Sequence, residues 1–275
     1  MNIARTLSTP FVVEGIGLHT GEAVRVEVHP ATAPIGRIFY KDGVAIPALV
    51  DFVTDTHRCT TLGRAGHTIS TVEHLLAALL LADIDHVRIE VTGPEMPVLD
   101  GAALQWYSLL LSAGIRPFDG EIPAIIITTP AWFFEGDTDF FTFPNPTLSV
   151  YSALDVAGTV AIRRMVGGEV HDPVVREQIL RARTWGLERE LPALQKAGLG
   201  QGGSLENAVI LTETGYMNAQ VWPDEPAWHK VLDLLGDLAL IGARITGRIL
   251  AVRSGHRSQV AFACKLKQLG CVQTQ

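Results

Sequence analysis

A chain of 275 residues with 47% hydrophobic residues can bury a large core, and its length permits one or two domains. The net charge of −7 at pH 7 argues against a broad nucleic-acid-binding surface, although a compact basic site is compatible with it. The three cysteines, Cys59, Cys264 and Cys271, have neither C-x-x-C nor zinc-finger spacing, so we interpret them as reduced thiols outside any metal site.

No targeting signal is evident in the first residues of the sequence, and we expect none. The segment MNIARTLSTPFVV has no sustained apolar run. The longest apolar stretch, LLAALLLADI, is too short to span a bilayer and runs into Asp83 and Asp85. We therefore predict an intracellular, cytoplasmic protein with at most peripheral membrane contact.

The sequence falls into two halves with the same order of patterns. In the first, helical periodicity at 70–82 is followed by the strand pattern VRIEV; in the second, helical periodicity at 226–241 is followed by RITGRILAV. Prolines, a glycine and polar residues mark the change of half near 117–124. We predict a duplicated α+β fold with domains at 1–120 and 121–275, in which each sheet packs one face on its helices and the two helical layers meet at the centre.

The first helix opens with the segment STVEH at 70–74. Its first four residues fit a capping box, in which Ser70 caps the helix and Glu73 reaches back to a backbone N–H. This structural role alone would explain Glu73. His74 follows at the start of the apolar run and is a candidate metal ligand.

The second helix places a histidine and two acidic residues on one face. Residues four apart on a helix are rotated by only ~40° from one another, so His229, Asp233 and Asp237 line up although the leucines between them indicate core packing. Burying two carboxylates is costly without partners. An imidazole and a carboxylate at this spacing can bind one cation together, with His74 as a third ligand.

The alternative is an ordinary helix histidine, with Asp233 paired to Lys230 or Arg244. A third segment, RSGHR at 253–257, favours the metal site, because it places His256 after a glycine at the expected end of a strand. Three protein ligands leave the fourth coordination position open. Such an arrangement is typical of a catalytic rather than a structural zinc.

Seven segments in order carry a family resemblance. They are GIGLHTG (15–21), ISTVEHLLAAL (69–79), PEMPVLDGAA (94–103), ARTWGL (182–187), GGSLENAVI (202–210), HKVLDLLGDLAL (229–240) and RSGH (253–256). Together they resemble the UDP-3-O-acyl-N-acetylglucosamine deacetylases, the zinc hydrolases of lipid A and lipopolysaccharide biosynthesis. The resemblance extends from near the N-terminus to about residue 260.

The resemblance implies a fold and a reaction. The fold consists of two domains of ribosomal protein S5 domain 2-like architecture that sandwich their helices, with the active site in the cleft. The reaction is hydrolysis of the N-acetyl group with release of acetate, for which zinc supplies Lewis-acid chemistry. The zinc ligands would be His74, His229 and Asp233.

The resemblance also implies catalytic roles. Glu73 resembles the general base, and His256 resembles the group that stabilises the oxyanion and protonates the leaving amine. Asp237, on the same helix face as the ligands, is placed to hold the ring of His256 and keep it charged. Thr184 matches the hydroxyl donor to the oxyanion, although a threonine before Gly186 would equally satisfy the backbone of a turn.

Substrate contacts follow from the same resemblance. Lys230 would reach the diphosphate, although an exposed helix lysine would look identical in sequence. Trp185 occupies an aromatic position that can pack on the hexosamine ring or in the core. An inserted unit at about 187–212 would form the passage for the acyl chain. Its leucines recur at a spacing suited to one helix face and include Leu187, Leu191 and Leu194.

Some positions depart from the family pattern. Trp228 and Gln259 stand where Arg and Asn are usual, and the region 125–178 lacks the expected lysine and the DF-x-HP-x-I stretch. Pro192 predicts a kink or a late start of the insert helix. A zinc amidohydrolase of the same mechanism with a diverged N-acetyl sugar substrate is therefore one alternative. A non-catalytic nucleotide-sugar-binding or lipid-binding paralogue is another.

The expected partners are UDP-3-O-acyl-N-acetylglucosamine and water, with zinc as the cofactor. We expect no nucleic-acid partner and a monomeric protein. A base, an acid and an open metal site in one chain argue against the non-catalytic alternative, because a binding module needs none of them together.

Overall fold

The computed structural model of the protein describes residues 3–156, 162–219 and 221–268. The elements of the first half are β1 (Ile3–Leu7), β2 (Phe11–Ile16), β3 (Ala23–Pro30), β4 (Arg37–Lys41), β5 (Val44–Pro47), a 3-10 turn (Val50–Phe52), β6 (Val53–Asp55), β7 (Thr61–Arg64), β8 (His67–Ile69), α1 (Glu73–Leu81), β9 (Val87–Val91) and α2 (Leu104–Ser112).

The second half contains the remaining strands and helices. They are β10 (Ile115–Glu121), β11 (Ala124–Ile126), β12 (Ala131–Glu135), β13 (Thr138–Phe143), β14 (Leu148–Val156), β15 (Ile162–Glu169), α3 (Pro173–Arg181), β16 (Thr184–Leu187), a 3-10 turn (Glu188–Glu190), α4 (Leu191–Lys196), β17 (Ala208–Leu211), α5 (Glu225–Leu238), a 3-10 turn (Ala239–Ile241), β18 (Arg244–Val252) and α6 (His256–Gln268).

The two main sheets repeat one strand arrangement. The first has the order β2-β3-β9-β4-β5, and the second has the order β12-β13-β18-β14-β15, with β11 also paired to β18. In the first sheet β9 is antiparallel to β3 and parallel to β4. In the second, β18 is antiparallel to β13 and parallel to β14. Both central strands follow the helix that carries the candidate ligands, so the prediction of a duplicated α+β fold is confirmed.

One continuous core connects the sheets through the helices. Inward-facing residues of the first sheet, such as Val26 and Phe39, join leucines of α1 and α5 and residues of the second sheet, such as Phe140 and Ile249. Each main sheet therefore buries one face, and α1 and α5 pack together between the two.

Strand pairing changes near the predicted boundary between the halves. β10 pairs with β1 of the first half, whereas β11 pairs with β18 of the second. We infer a domain boundary between Glu121 and Ala124 from this change of partner, close to the predicted division at 120/121.

The start of α1 differs from the capping-box alternative. The helix begins at Glu73, and its N-cap residue Val72 forms no side-chain cap. Thr71 has φ 58°, a left-handed turn that separates Ser70 from the helix. The Ser70 hydroxyl instead accepts a hydrogen bond from Thr61 Oγ1 at 3.0 Å. The capping-box alternative is therefore wrong, and the carboxylate of Glu73 is available for other contacts.

The insert also differs from the predicted single helix. Leu187 ends a strand, and the short helix α4 begins only at Leu191. Pro192 lies in the first turn of α4, which confirms the predicted late start. Because a strand and a 3-10 turn precede α4, Leu187 does not share a helix face with Leu191 and Leu194.

Two further expectations concern membranes and cysteines. Across the described ranges, no helix combines the length and the apolar character that crossing a membrane requires. Cys59 and Cys264 are free thiols. Cys271 lies outside the described residues.

Candidate active site

Three side chains from two helices meet at the junction of the halves. One ligand atom from each of His74, His229 and Asp233 lies within 4.8 Å of the others, and all three residues are buried. His229 Nε2 is 3.2 Å from Asp233 Oδ1, and the rings of the two histidines have centroids 5.1 Å apart. Helix α1 supplies His74, and α5 supplies the other two.

A glycine in α5 allows the two helices to approach at this point. A β-carbon at Gly236 would lie 2.3 Å from the carbonyl oxygen of Glu73, the first residue of α1. Gly236 stands between Asp233 and Asp237 in the sequence. The absence of a side chain there therefore brings Glu73 and His74 close to the acidic face of α5.

Backbone carbonyls orient the two histidines. His229 Nδ1 donates to the carbonyl of Ala182 at 2.9 Å, which leaves Nε2 as the free nitrogen. His74 has a backbone hydrogen bond with Ala102. Burial lowers the pKa of His74 to about 3, so its imidazole is neutral at pH 7. Both rings are therefore held as metal ligands usually are.

The carboxylate of Asp233 is ionised despite its burial. Desolvation alone would raise its pKa, but the charges of His229, Lys230 and His256 hold the pKa well below its usual range. Lys230 Nζ lies 2.7 Å from Asp233 Oδ2, so the ion pair that the sequence offered as an alternative to metal binding is present. Two imidazoles and one ionised carboxylate form a donor set that fits a divalent metal ion.

Glu73 and His256 lie next to each other, beside the candidate ligands. His256 Nε2 is 3.8 Å from Glu73 Oε1 and 4.0 Å from Asp233 Oδ2. Burial raises the pKa of Glu73 to about 7, although the charge of His256 opposes this. Burial lowers the pKa of His256, but the charges of Asp237, Asp233 and Glu73 outweigh it and raise the pKa to about 9. A carboxyl group with a pKa of about 7 thus faces a charged imidazole.

Asp237 and Thr60 form hydrogen bonds that hold His256 and Glu73 in place. His256 Nδ1 donates to Asp237 Oδ2 at 2.8 Å, as the sequence predicted. Thr60 Oγ1 donates to Asp237 Oδ1 at 2.6 Å and lies 3.2 Å from His256 Nδ1. The backbone N–H of Thr60 donates to Glu73 Oε2 at 3.1 Å. Sequence reasoning missed Thr60, because the segment RCTTL has no pattern that distinguishes it from an ordinary strand start.

A cavity of about 640 Å³ opens over these groups. Thr184, Trp185 and Lys230 line it, and Lys230 Nζ lies 5.5 Å from the centroid of the Trp185 ring. Trp185 Nε1 is buried and has no hydrogen-bond partner within the described residues. The predicted catalytic and sugar-contacting residues of β16 therefore face the same space as the candidate metal ligands.

The leucines of the insert lie at different distances from this cavity. Leu187 is buried and belongs to its wall. Leu191 and Leu194 are half-buried in α4, and neither lines it. Arg58 of the first half forms an ion pair at 2.7 Å with Glu190 of the insert, and both residues line the cavity.

Comparison with known proteins agrees with this geometry. Residues 4–268 match the family model of LpxC, UDP-3-O-acyl N-acetylglycosamine deacetylase. A UDP-3-O-acyl-N-acetylglucosamine deacetylase of Leptospira biflexa is 35% identical over 272 residues, covering 96% of this chain and 90% of the relative. Proteins of the same name from Myxococcus xanthus and Thermosynechococcus vestitus are each 36% identical, covering 92% and 96% of this chain and 82% and 94% of the relatives.

The chain belongs to this family. Its departures from the family pattern lie at the edge of the site. Trp228 packs half-buried against the core, and Gln259 is fully buried with its amide donating to Ser254 Oγ at 3.0 Å. The divergent region 125–178 contributes Glu135, among other residues, to the cavity wall. None of these changes replaces a candidate ligand.

Proposed function

We propose that the protein is a zinc-dependent deacetylase that hydrolyses the N-acetyl group of UDP-3-O-acyl-N-acetylglucosamine and releases acetate, a step of lipid A biosynthesis. One observation carries the proposal in a chain of this family: three side chains that could hold a metal ion, a carboxyl with a pKa of about 7 and an imidazole with a pKa of about 9 converge in one cavity. Nitrogen and carboxylate ligands in this number suit zinc with one open coordination position.

Zinc, when bound, supplies Lewis-acid polarisation of the amide and lowers the pKa of water. Glu73 accepts the proton of the attacking water, and its raised pKa makes it a base matched to neutral pH. His256, held protonated by Asp237, faces the developing oxyanion and donates to the leaving amine through Nε2. The hydroxyl of Thr184, in the cavity wall, donates a hydrogen bond to the oxyanion.

The remaining cavity residues bind the rest of the substrate. Lys230 lies at the cavity wall with its ammonium group between Asp233 and Trp185, and we assign it to the diphosphate. Trp185 offers a ring face for the hexosamine. Leu187 supplies the apolar wall for the acyl chain, to which each buried CH₂ adds ~0.8 kcal/mol of binding free energy. We assign Leu191 and Leu194 to the outer part of the same passage.

We further propose that the enzyme acts in the cytoplasm as a monomer, with membrane contact at most peripheral. One observation favours the alternative, in which the substrate is a different N-acetyl sugar. The divergent region places the acidic Glu135 in the cavity wall, in a region where the family pattern has a lysine in a substrate-covering loop. An enzyme of the same mechanism with another N-acetyl sugar would explain this change.

Mass spectrometry of reactions with UDP-3-O-acyl-N-acetylglucosamine of several acyl lengths tests the proposal. We expect loss of the acetyl group with zinc-loaded protein and no reaction after chelation. UDP-N-acetylglucosamine without an acyl chain is the control substrate and should react poorly. Chelator-sensitive deacetylation of the control alone would favour the diverged substrate, and zinc binding without any turnover would favour a non-catalytic protein.

A further inference from the structure

A buried charge pair ties the strand that carries Thr184 to the helix that carries two ligands. Glu225, the first residue of α5, is completely buried. Its Oε1 accepts hydrogen bonds from Arg183 N at 3.2 Å and Arg183 Nε at 2.7 Å, and its Oε2 accepts from Nη2 at 3.1 Å. Bidentate pairs of this kind fix both partners in one orientation. The pair therefore defines where the chain enters β16 relative to α5.

The residue before Arg183 contacts a candidate ligand directly. Ala182 is buried, and its carbonyl accepts the hydrogen bond from His229 Nδ1 at 2.9 Å. Glu225 and His229 lie four residues apart and so face the same side of α5. One turn of the helix thus holds the segment 182–184 at two points, through a carboxylate and through an imidazole.

The bond to Ala182 decides which nitrogen of His229 is free. With the proton on Nδ1, the lone pair is on Nε2, the nitrogen that lies 3.2 Å from Asp233 Oδ1. Hydrogen-bond partners of this kind set the tautomer and the ring orientation of metal-binding histidines. The carbonyl of Ala182 can do so only while its segment stays in place.

The same segment places Thr184 at the cavity. The backbone N–H of Thr184 donates to the carbonyl of Gly101 at 2.7 Å. Gly101 has φ 78°, and a β-carbon there would lie 1.6 Å from the carbonyl oxygen of Asn207, so this residue is closely packed. The start of β16 is therefore held between Gly101 on one side and α5 on the other.

We infer that Arg183 and Glu225 are positioning residues, which hold His229 in its metal-binding tautomer through Ala182 and hold Thr184 at the cavity through β16. The part concerning Thr184 rests on the proposed function. The part concerning His229 needs only a metal at the candidate site. A pair that merely stabilised the fold would leave the metal affinity of the folded protein unchanged.

Glu225→Gln in the full chain tests the inference. It keeps the shape of the side chain and removes the charge that orients Arg183. Competition with a chromophoric chelator measures the zinc dissociation constant of the metal-free protein, which we expect to rise roughly tenfold, as outer-shell substitutions do. On the zinc-loaded protein kcat should fall, because β16 no longer holds Thr184 at the cavity, and KM should rise, because the same strand carries Trp185.

Asp224→Asn is the matched control. This neighbouring acid pairs with Arg164 at the surface, with a distance of 2.7 Å, and 36% of its side chain is exposed. It has φ 63°, a left-handed conformation that asparagine tolerates. The control should leave both the zinc dissociation constant and kcat unchanged.

Arg183→Lys is the second variant and is measured in the same way, also if Glu225→Gln does not fold. Lysine keeps the charge but cannot form the bidentate contact, so an intermediate loss of zinc affinity is expected. Imidazole nitrogen shifts of His229 in the metal-free protein should show the Nδ1–H tautomer in the parent and a mixture in the variants.

Parent-like zinc affinity and tautomer in a folded variant would overturn the inference. A lower melting temperature with unchanged zinc affinity would do the same, since it would show a role in folding alone. A parent protein without deacetylase activity, but with the expected differences in zinc affinity, would instead reject the proposed substrate and leave the positioning role intact.

Discussion

Two cavities lie where the halves of the chain meet, and they differ in the partners of their buried charged groups. The cavity of about 640 Å³ contains the candidate metal ligands, near the start of α1 and along α5. A second cavity, of about 480 Å³, lies at the other end of these helices, where Leu80, Ala239 and Gly242 line it. Both have walls from the two halves, so position in the fold does not explain the difference.

In the second cavity each buried charge faces a fixed protein partner. Asp85 accepts from Arg244 Nη2 at 2.7 Å and Nε at 3.3 Å, and from the backbone N–H of Arg5 at 2.9 Å. Arg37 donates to the carbonyls of Ile84 at 2.9 Å and Ala239 at 3.3 Å. At this end of the helix pair, Asp85 and Arg37 therefore both have partners within the protein.

At the other end the polar atoms converge on one point. Asp233 shares the space with two imidazoles whose free nitrogens face it, and Glu73 and Asp237 add further carboxyl groups. Gathering acids in a buried site is costly unless a cation joins them. The comparison indicates that the second end stabilises the fold, while the first end is built to receive a metal ion.

The largest expected effect comes from removing a ligand. Asp233→Ala takes away one donor and one negative charge, so the zinc dissociation constant should rise by more than the ~100-fold that outer-shell changes reach. Activity should fall with it. Elemental analysis of the purified variant measures the metal, and unchanged metal content in this variant and in His229→Ala would contradict the site as described.

The next effect concerns the proton-transfer pair. Glu73→Gln and His256→Gln should each lower kcat by roughly 10²- to 10⁴-fold and retain zinc, because neither residue is assigned as a ligand. Metal analysis of the same samples is the control. Near-parent turnover in either variant across the whole pH range would show that the acid and base are assigned wrongly.

The pH profile of the parent follows from the same two residues. Ionised Glu73 is lost as pH falls through its pKa of about 7, and protonated His256 is lost as pH rises through its pKa of about 9. Activity should therefore form a bell between these limits. A bound cation favours the carboxylate and disfavours the imidazolium, which moves both limbs to lower pH. Glu73→Gln should flatten the acidic limb, and His256→Gln should remove the alkaline one.

The two cavities also show what sequence can predict. His229 and Asp233 were identifiable because helix periodicity puts residues four apart on one face, and the duplicated order of helix and strand predicted the sandwich. Local patterns do not reveal which groups meet from distant segments. Thr60 lies 177 residues from Asp237, to which it donates, and the pairing of Asp85 with Arg244 spans 159 residues.

Local patterns were misleading where tertiary contacts decided the outcome. The capping-box pattern explained Glu73 without reference to the site, but the left-handed turn at Thr71 removes Ser70 from the helix. The leucine spacing suggested one helix face, but Leu187 pairs with Leu211 in a two-stranded sheet instead. In both cases, a short pattern suggests a structure only if no other segment competes for the same backbone.

The close approach of α1 and α5 at Gly236 can be disturbed to test whether the candidate metal site depends on the packing of the two helices. Gly236→Ala puts a β-carbon 2.3 Å from the carbonyl oxygen of Glu73, so α1 and α5 must separate. We expect a loss of about 3 kcal/mol in the free energy of unfolding and weaker zinc binding. Gly215→Ala is the control, since nothing lies within 4 Å of a β-carbon there. Parent-like zinc affinity in Gly236→Ala would show that the ligands tolerate the separation.

In the cavity of about 480 Å³, removal of the charge of Asp85 should affect stability alone. Asp85→Asn leaves Arg244 without its ion pair, and the free energy of unfolding should fall by roughly 2 kcal/mol, less than for fully buried pairs, because a quarter of Arg244 is exposed. Denaturant unfolding measures this loss. Zinc content and kcat of the folded variant should equal those of the parent; a loss of either would mean that the two ends are coupled.

The smallest expected effect concerns the wall of the metal cavity. Leu187→Phe adds bulk inside the cavity, so long acyl chains should lose roughly tenfold in kcat/KM relative to short ones, about 1.4 kcal/mol or nearly two buried CH₂ groups. Leu194→Phe enlarges a half-buried leucine of α4 that does not line the cavity, and its chain-length profile should stay closer to the parent. The profiles are measured with substrates that differ only in acyl length. A stronger effect at Leu194 than at Leu187 would place the passage along α4, as the leucine spacing first suggested, and parallel profiles in both variants would place it elsewhere.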